Sequence, residues 1–274
     1  MKKNKSLLLS APYILWMVVF TLIPLGVVGY YALTDPDTGA FTLSNLKDLG
    51  LYLPVLGSSV GYALISALIC LLLGYPVAYY IAHRTPVMQK ILYMLVMLPM
   101  CMSFLLRTLA WVGLLQDTGI VNNLLKLVGL GPIRMIRTPG AVILGMVYNY
   151  LPYMILPLYA TIVKIDRRLI EAAEDLGCNS VKVFTKVIFP LSMPGILSGI
   201  TMVFVPAVST FYISQKLGNS DTVLIGDIIE RLFKQGNNAN LGAALSLVLM
   251  ILVFVCTGIM NRFGGDSEEG GVIV

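Results

Sequence analysis

The sequence predicts an all-α integral membrane protein with six transmembrane helices, and its composition leads to that fold class. Of the 274 residues, 57% are hydrophobic and only 12% are charged, whereas about 25% are charged in ordinary soluble domains. The mean hydropathy is +0.85. The apolar residues gather into six runs of about 20 residues or more, the length that crosses a bilayer. A surface facing water cannot be built from so few charges, so lipid is the expected solvent.

The expected spans are separated by short polar or turn-forming connections. The first run follows the lysine-rich residues 1–5 and lacks a signal-peptide cleavage site, so it is expected to remain as a span. Residues 35–39 and 83–86 form turns, and Pro99 is expected to kink the third span. The spans are expected at about residues 7–31, 57–82, 91–115, 139–163, 191–214 and 241–260. They form one transmembrane domain over residues 1–274, with a loose cytoplasmic tail at 264–274.

The basic residues predict the orientation of these spans. Lysine and arginine are more numerous in the connections on the side of the amino terminus than in those on the other side. By the positive-inside rule, both termini and residues 166–190 are then cytoplasmic. The net charge of +5 is explained by this bias, so a nucleic-acid partner is not expected.

The sequence contains no recognisable catalytic or metal-binding set. Of the four cysteines, Cys70, Cys101 and Cys256 lie in apolar runs and Cys178 in a charged loop, so they are interpreted as small core residues. His83 is the single histidine. No glycine-rich loop ending in Lys-Ser or Lys-Thr is present, so the chain is not expected to hydrolyse ATP or to hold a metal itself.

One charged stretch, residues 171–190 (EAAEDLGCNSVKVFTKVIFP), interrupts the apolar sequence. Its apolar residues recur at three- and four-residue steps, which predicts a short amphipathic helix. Gly177 can end that helix, and Asn179 or Ser180 can cap the next one. Pro190 closes the stretch where the fifth span begins. The pattern therefore predicts two short helices with a turn between them.

The spacing of this stretch resembles the EAA signature of the permease subunits of bacterial ABC importers. Val187 and Phe189 replace the usual isoleucine and leucine but remain apolar. The resemblance implies the type I importer permease fold and a cytoplasmic coupling loop at residues 166–190. That loop would dock on a separate ATPase dimer, which binds the ATP and Mg²⁺, so no cofactor is expected in this chain. An ordinary amphipathic surface helix is the alternative. The coupling residues that the resemblance to the EAA signature implies are Glu171, Ala172, Ala173, Asp175, Leu176, Gly177 and Pro190.

Further runs resemble the permeases of spermidine/putrescine importers, of the spermidine type. They are FLLRTLAW at residues 104–111, YNYLPYMILPLY at 148–159 and FVPAVSTFYISQKL at 204–217. The putrescine-type permease would carry a glutamate near Ser209 and Thr210, which is absent here. The resemblance implies a bacterial inner-membrane protein that forms half of a polyamine pathway. Its expected partners are a second, homologous permease subunit and an extracytoplasmic polyamine-binding protein.

A polyamine pathway needs aromatic faces and acceptors, because ammonium groups are attracted to the faces of Tyr and Trp rings. An interfacial aromatic belt or plain helix packing is the alternative role for these rings. Arg107, a charge within a span, is expected near the outer interface, where it can snorkel or form a structural pair, although a functional role is open. The candidate pathway residues are Trp111, Tyr148, Asn149, Tyr153, Phe211 and Tyr212.

The segment of residues 221–235 is amphipathic and is expected at the outer surface. Its acids, Asp221, Asp227 and Glu230, could attract an arriving cation, or they could simply form a solvated face. The family resemblance makes this loop part of the contact with the binding protein.

These observations favour the permease subunit of a polyamine importer over three other classes. The alternatives are an importer permease for another small solute, a stand-alone channel or secondary transporter, and an intramembrane enzyme. The last would need paired acids or a serine–histidine set at membrane depth, and the expected spans offer neither. Channels and secondary transporters commonly place carboxylates or inverted repeats near the midplane, and none is evident here.

Overall fold

The computed structural model describes residues 12–35, 39–129, 131–234 and 238–264, and nearly all of them are helical. The described residues contain only an isolated β-bridge, between Thr34 and Phe41. The all-α prediction is confirmed. The predicted start of the first span, residue 235 of the amphipathic segment and nearly all of the predicted tail lie outside the described residues.

The helices follow the order of the predicted spans, with additional short helices between them. Short helical pieces also occur at Ser44–Lys47, Asp48–Tyr52, Leu98–Cys101 and Ser220–Thr222. The main helices are α1 (Pro12–Ala32), α2 (Leu53–Ala82), α3 (Pro86–Met97), α4 (Phe104–Leu115), α5 (Ile120–Leu127), α6 (Pro139–Ile162), α7 (Arg167–Asp175), α8 (Ser180–Leu191), α9 (Met193–Val208), α10 (Tyr212–Leu217), α11 (Ile225–Lys234) and α12 (Ala239–Gly264).

Five helical stretches in the described residues are long and apolar enough to cross a membrane. They comprise α1, α2 with the turn before it, α4 with α5, α6, and α12. Helices α8 and α9 meet at a bend of 62° and bring the number to six if they form one broken span. The candidate at residues 104–127 lies later in the chain than the predicted span 91–115, and hydropathy did not show where the helices break.

Two expected spans are not continuous helices. The segment 91–115 is interrupted because Met102 and Ser103 are extended, with ψ of 147° and 130°, just after the 3₁₀ turn that contains Pro99. The segment 191–214 is interrupted between α9 and α10. There the Ser209 hydroxyl donates to the Val205 carbonyl at 3.2 Å, a local bond that competes with the helical ladder.

The contacts divide the chain into two units, whereas the sequence predicted one transmembrane domain; that single domain stays a prediction. The first unit comprises the described parts of Met1–Leu56 and Ile228–Leu252. Its core is formed by Ala32, Ala243 and Ala244, small residues that let helix backbones approach. The Asn240 amide donates to the Thr34 carbonyl at 2.6 Å, which pairs a carbonyl just beyond the end of α1.

The second unit comprises Gly57–Asp227 and the described part of Val253–Val274. Helix α6 lies at its centre, with Met146, Met154 and Leu158 fully buried. Helix α9 packs closely on α6, because a Cβ atom added at Gly199 would lie 2.6 Å from the Met154 sulfur. Helix α10 packs near the other end of α6, where Leu217 would meet a Cβ added at Gly145 at 2.6 Å. This unit contains the predicted coupling loop and all the predicted pathway residues.

Candidate functional site

The predicted coupling segment forms two helices with a turn, and local bonds satisfy the ends of both. The Asp166 carboxylate accepts from the Arg168 amide at 3.0 Å and caps α7. Gly177 has a φ of +80°, the left-handed conformation that glycine adopts without steric cost. Its amide bonds the Glu174 carbonyl at 2.8 Å, and the Cys178 amide bonds the Ala173 carbonyl at 3.1 Å. This is the Schellman ending of a helix.

Helix α7 buries none of its residues against the described parts of the chain. Glu171 and Ala172 are exposed, Ala173 is half-buried, and Asp175 is exposed. Leu176, which follows the helix, is 86% exposed. A helix whose backbone is capped internally and whose charged and apolar side chains face outward is a surface suited to another protein.

The turn after α7 leads into an aromatic cluster that joins the coupling segment to α2. The Asn179 side chain caps α8 by accepting from the Lys182 amide at 2.9 Å. Phe184 packs edge-on against Tyr75 of α2, with ring centroids 5.5 Å apart. The Tyr75 hydroxyl lies 2.9 Å from the Ser192 hydroxyl at the bend between α8 and α9. A displacement of the coupling segment would therefore be passed to α2 and α9 through packed side chains.

Pro190 lies inside the last turn of α8, two residues before that bend. It follows a π-helical turn, Phe184–Ile188. Proline has no amide hydrogen to donate to the carbonyl one turn earlier. The preceding turn can therefore widen into a π-helix, and the chain can bend after it. The sequence placed Pro190 at the boundary of a continuous fifth span, whereas the structure places a sharp bend there.

Four of the six predicted pathway residues lie on α4, on α6 or at the start of α10, where these three helices meet. They are Trp111, Tyr148, Phe211 and Tyr212. Trp111 and Tyr148 pack edge-on with ring centroids 5.3 Å apart. Tyr212, at the start of α10, lies 6.3 Å from Phe104 of α4. Phe211 lies in the break between α9 and α10 and is 39% exposed. We call Trp111, Tyr148, Phe211 and Tyr212 the aromatic wall.

The other two predicted pathway residues, Asn149 and Tyr153, lie one turn apart on α6 and differ in exposure. Tyr153 is 37% exposed and lies 6.4 Å from the ring of Tyr150. Asn149 is 1% exposed, and its amide donates to the Gly145 carbonyl of its own helix at 2.9 Å. Within the part of the chain that the structure describes, its Oδ1 atom has no hydrogen-bond partner. Asn149 is therefore a buried polar residue of α6 in this conformation and does not line an open surface.

Arg107 does not snorkel as the sequence suggested, because its side chain is enclosed. It is only 7% exposed, and its Nε and Nη1 atoms have no hydrogen-bond partner among the described residues. It is close enough to Tyr150 to act on it electrostatically. Phe104 and Trp111 lie about one helical turn before and after it, so all three share the face of α4 that meets the wall. This spacing was visible in the sequence and could have placed Arg107 at the wall.

The three predicted outer acids have different environments. Asp221 is exposed, as expected. Asp227 is 1% exposed and its carboxylate accepts from the Ser214 hydroxyl at 2.6 Å, so its placement on a solvated face is wrong. The reason is the close packing of Gly226, where an added Cβ would lie 2.6 Å from the Ser209 carbonyl. Glu230 pairs with Lys234 one turn along α11.

The described residues hold no group of three or more His, Cys, Asp or Glu side chains that could bind a metal. The arrangement instead combines an outward-facing charged helix with a wall of aromatic side chains beside interrupted helices. Interrupted membrane helices with aromatic and carbonyl groups at the break are typical of transport pathways.

Comparison with known proteins identifies the class. Residues 71–264 match the model of the family described as binding-protein-dependent transport system inner membrane component. The chain belongs to this family, and it is a multi-pass inner-membrane transport component. The match includes α7, the aromatic wall and the last part of α2.

Individual relatives of the chain carry more specific descriptions than the family model does. The spermidine/putrescine transport system permease protein PotB of Escherichia coli K12 is 38% identical over 247 residues, which cover 87% of this chain and 90% of that protein. The Haemophilus influenzae PotB is 39% identical, covering 87% of this chain and 86% of its own length. The E. coli inner membrane ABC transporter permease YdcU is 29% identical, over 94% of this chain and 89% of YdcU.

Solved structures confirm the fold. A chain of a bacterial ABC transporter that imports the acidic polysaccharide alginate matches with a TM-score of 0.80 at 19% identity, covering 96% of both chains. A chain of the inward-facing MetNI methionine ABC transporter matches with a TM-score of 0.62 at 17% identity, covering 80% of this chain and 96% of that one. The fold is that of type I ABC importer permeases.

Proposed function

We infer that the chain is the permease subunit of an ATP-driven ABC importer and forms half of a pathway for polyamines, spermidine or putrescine. The observation that carries this inference is the 38–39% identity to PotB proteins along 87% of the chain. The alginate and methionine transporters share the fold at 17–19% identity, so they do not bear on the substrate.

We propose that α7 and the turn after it dock on a separate ATPase. The exposed Glu171 and Leu176 and the capped ends of α7 support this role, because a preformed helix loses little entropy on docking. Ala172, Ala173, Asp175 and Gly177 fix the shape of this surface. Pro190, at the bend, belongs to the part that carries the displacement toward α2 and α9. ATP and Mg²⁺ would then bind the ATPase, and this chain would hold no cofactor and catalyse no reaction.

We propose two further partners, a second homologous permease subunit and an extracytoplasmic polyamine-binding protein. The family description and the alginate transporter solved with its substrate-bound periplasmic protein support this assembly. Both termini and Asp175 would be cytoplasmic, and Lys126 would be outside. Impermeant thiol labelling in a background without the four native cysteines tests this; labelling of an Asp175→Cys variant from outside would contradict it.

We propose that the aromatic wall, with Tyr153, lines the polyamine path. Each ring face offers an ammonium group about 0.5–2 kcal/mol, weak enough for release. Arg107 opposes passage, since a unit charge about 6 Å away is repelled by about 3 kcal/mol at an effective dielectric constant of 20. We therefore propose that Arg107 is paired with an acceptor of the second permease in the assembled transporter. Asn149 would join the path only after α6 rearranges.

The decisive experiment is ATP-driven uptake in proteoliposomes that contain this chain, the second permease and the ATPase, supplied with the binding protein. Labelled spermidine should enter only with ATP. Unlabelled putrescine and spermidine should compete, whereas amino acids and sugars should not. Competition by the latter alone would reassign the substrate, and uptake by this chain without the ATPase would instead favour a channel or secondary transporter.

A further inference from the structure

A pocket of about 490 Å³ lies beside the coupling helix, within the second unit. It is bounded by the connection between α2 and α3, the end of α6 and the start of α7. Its polar lining includes His83, Arg84, Gln89 and Arg167, and its apolar lining includes Ile162 and Ile188. Neither the coupling role nor the polyamine path uses this pocket.

The charged side chains that line the pocket are Arg84 and Arg167, and His83 lines it beside them. Among the described residues, no aspartate or glutamate side chain belongs to the lining. Asp166 adjoins the lining residues Ile165 and Arg167 and caps α7 through the Arg168 amide, a hydrogen bond that does not cancel a carboxylate's charge. The two arginines of the lining outnumber this adjoining acid, which favours an anion.

Backbone geometry adds to this preference for an anion. The pocket includes Thr85 and Pro86, the N-cap and first residue of the 12-residue helix α3. The Thr85 side chain makes no capping bond, and Pro86 has no amide hydrogen. This end of α3 therefore contributes the partial charge of the helix and no backbone donor from Pro86. The amino end of a helix carries a partial positive charge that favours phosphate groups.

Two of the basic side chains lie at the end of the long apolar helix α2. The Arg84 guanidinium carbon lies 4.0 Å from the centre of the Tyr80 ring, and Tyr80 is 53% exposed near the end of the long apolar α2. Exposed tyrosines and arginines at span ends mark the lipid head-group region. The His83 ring packs 4.1 Å from Tyr79, and its Nδ1 lies 2.8 Å from the Tyr79 carbonyl. Since a carbonyl only accepts, Nδ1 donates, and Nε2 can donate to a phosphate oxygen only when the ring carries both protons.

We propose that this pocket binds a phosphate group, supplied by the head group of an anionic phospholipid such as phosphatidylglycerol. Basic pockets between membrane helices on the cytoplasmic side recognise such head groups, and the isoleucines would contact the glycerol and upper acyl carbons. The assignment to the inner leaflet rests on the proposed cytoplasmic position of α7. Because Arg167 is the first residue of α7, a bound phosphate would fix the start of the coupling helix and favour docking of the ATPase.

The test measures lipid retention by the whole transporter, purified with its second permease and ATPase. The complex is assembled in nanodiscs of phosphatidylglycerol or phosphatidylcholine, extracted gently, and its bound lipid counted by native mass spectrometry. The variants are the double change His83→Gln with Arg84→Gln, and Arg84→Lys, which keeps the charge. Lys90→Gln is the matched control, because Lys90 is an exposed basic residue nearby that does not line the pocket. Arg167 is left unchanged because it belongs to the coupling helix.

Wild type, Lys90→Gln and Arg84→Lys should retain phosphatidylglycerol over phosphatidylcholine, whereas the double variant should lose about tenfold in affinity, equal to about 1.4 kcal/mol. Millimolar inorganic phosphate forms a separate arm. If it displaces the lipid, the phosphate chemistry holds and the source can be a soluble phosphate. Equal retention by the double variant and Lys90→Gln overturns the proposal. Because retention is measured without uptake, a wrong polyamine assignment would leave this result unchanged.

Discussion

The coupling segment and the aromatic wall satisfy their polar groups in opposite ways. In the coupling segment, Asp166, Gly177 and Asn179 complete the helix ends locally, and the side chains of α7 point outward. At the wall, Tyr148 and Phe211 are partly exposed, while the enclosed Arg107 and Asn149 keep polar atoms that have no hydrogen-bond partner among the described residues. The helix ends of the coupling segment therefore have their hydrogen bonds before a partner docks. The unpaired polar atoms beside the wall still need hydrogen-bond acceptors and donors from another group.

Mutations of exposed residues at the coupling segment and at the wall should therefore affect uptake without affecting folding. Replacing the enclosed Arg107 beside the wall should affect uptake and either leave stability unchanged or raise it slightly. The largest effect is expected from Glu171→Lys. Reversing an exposed charge at a docking surface leaves α7 folded but should cost at least about 2.8 kcal/mol of docking energy, or about a hundredfold in ATP-driven uptake. Uptake in proteoliposomes measures the loss, and copurification of the ATPase locates it.

The control for Glu171→Lys is Asp117→Lys, the same charge reversal at an exposed acid in the connection after α4. This variant should transport at close to the wild-type rate. Equal uptake by both variants at wild-type expression would remove the coupling role of α7.

A second, smaller effect is expected from Arg107→Met. Replacing a buried, unpaired charge by an apolar side chain of similar length should leave the isolated chain as stable as before or stabilise it by about 1 kcal/mol. Uptake should nevertheless fall about tenfold, because the proposed acceptor of the second permease would be left unpaired. The thermal unfolding midpoint in detergent and the uptake rate measure the two effects separately.

Arg134→Met, at an exposed arginine, serves as the control and should change neither quantity by much. A lower unfolding midpoint with normal uptake in Arg107→Met would show that Arg107 is a structural residue. In that case the unpaired polar atoms of Arg107 would reflect packing within this chain and would not indicate a partner at the wall.

A third effect concerns the ring of Tyr148, which is 37% exposed beside Trp111. Tyr148→Ala should lower spermidine uptake about three- to tenfold, which corresponds to about 0.7–1.4 kcal/mol for one cation–π contact. Tyr148→Phe should keep most of the activity, since the ring face is retained. The matched control is Tyr30→Ala, at a more exposed tyrosine of α1; an equal loss there would indicate a general effect of removing membrane tyrosines.

The same contrast explains what the sequence could predict. Gly177 and Asn179 were expected to end α7 and begin α8, and both do so, because capping depends on residues a few positions apart. Hydropathy located the apolar segments for a similar reason, since each is a property of one continuous stretch. The roles of the coupling residues remain predictions, although their local geometry was readable.

Features that depend on packing between distant segments were predicted less well. The extended Met102 and Ser103 and the break before Tyr212 were missed because apolar composition continues through both. Asp227 was placed on a solvated face from helical periodicity alone. In the structure Gly226 packs against the Ser209 carbonyl, and this close packing buries the neighbouring Asp227. Arg107 was assigned a depth by counting residues along one unbroken helix, which the structure interrupts.

The smallest effect is expected at Asp221, whose exposed carboxylate shares the outward orientation of the coupling segment but lies in the predicted outer loop. An exposed charge steers an arriving cation and contributes little to the bound state, so its effect should appear in the association rate and fade with salt. Asp221→Asn should lower spermidine uptake about twofold at low ionic strength and hardly at all above physiological salt.

Asp227→Asn should behave differently, because this carboxylate is buried and accepts from Ser214. Its effect should be independent of salt and appear as a lower unfolding midpoint. Uptake measured at two salt concentrations for both variants distinguishes the roles, and a salt-dependent loss in Asp227→Asn would contradict the buried, structural position of this acid.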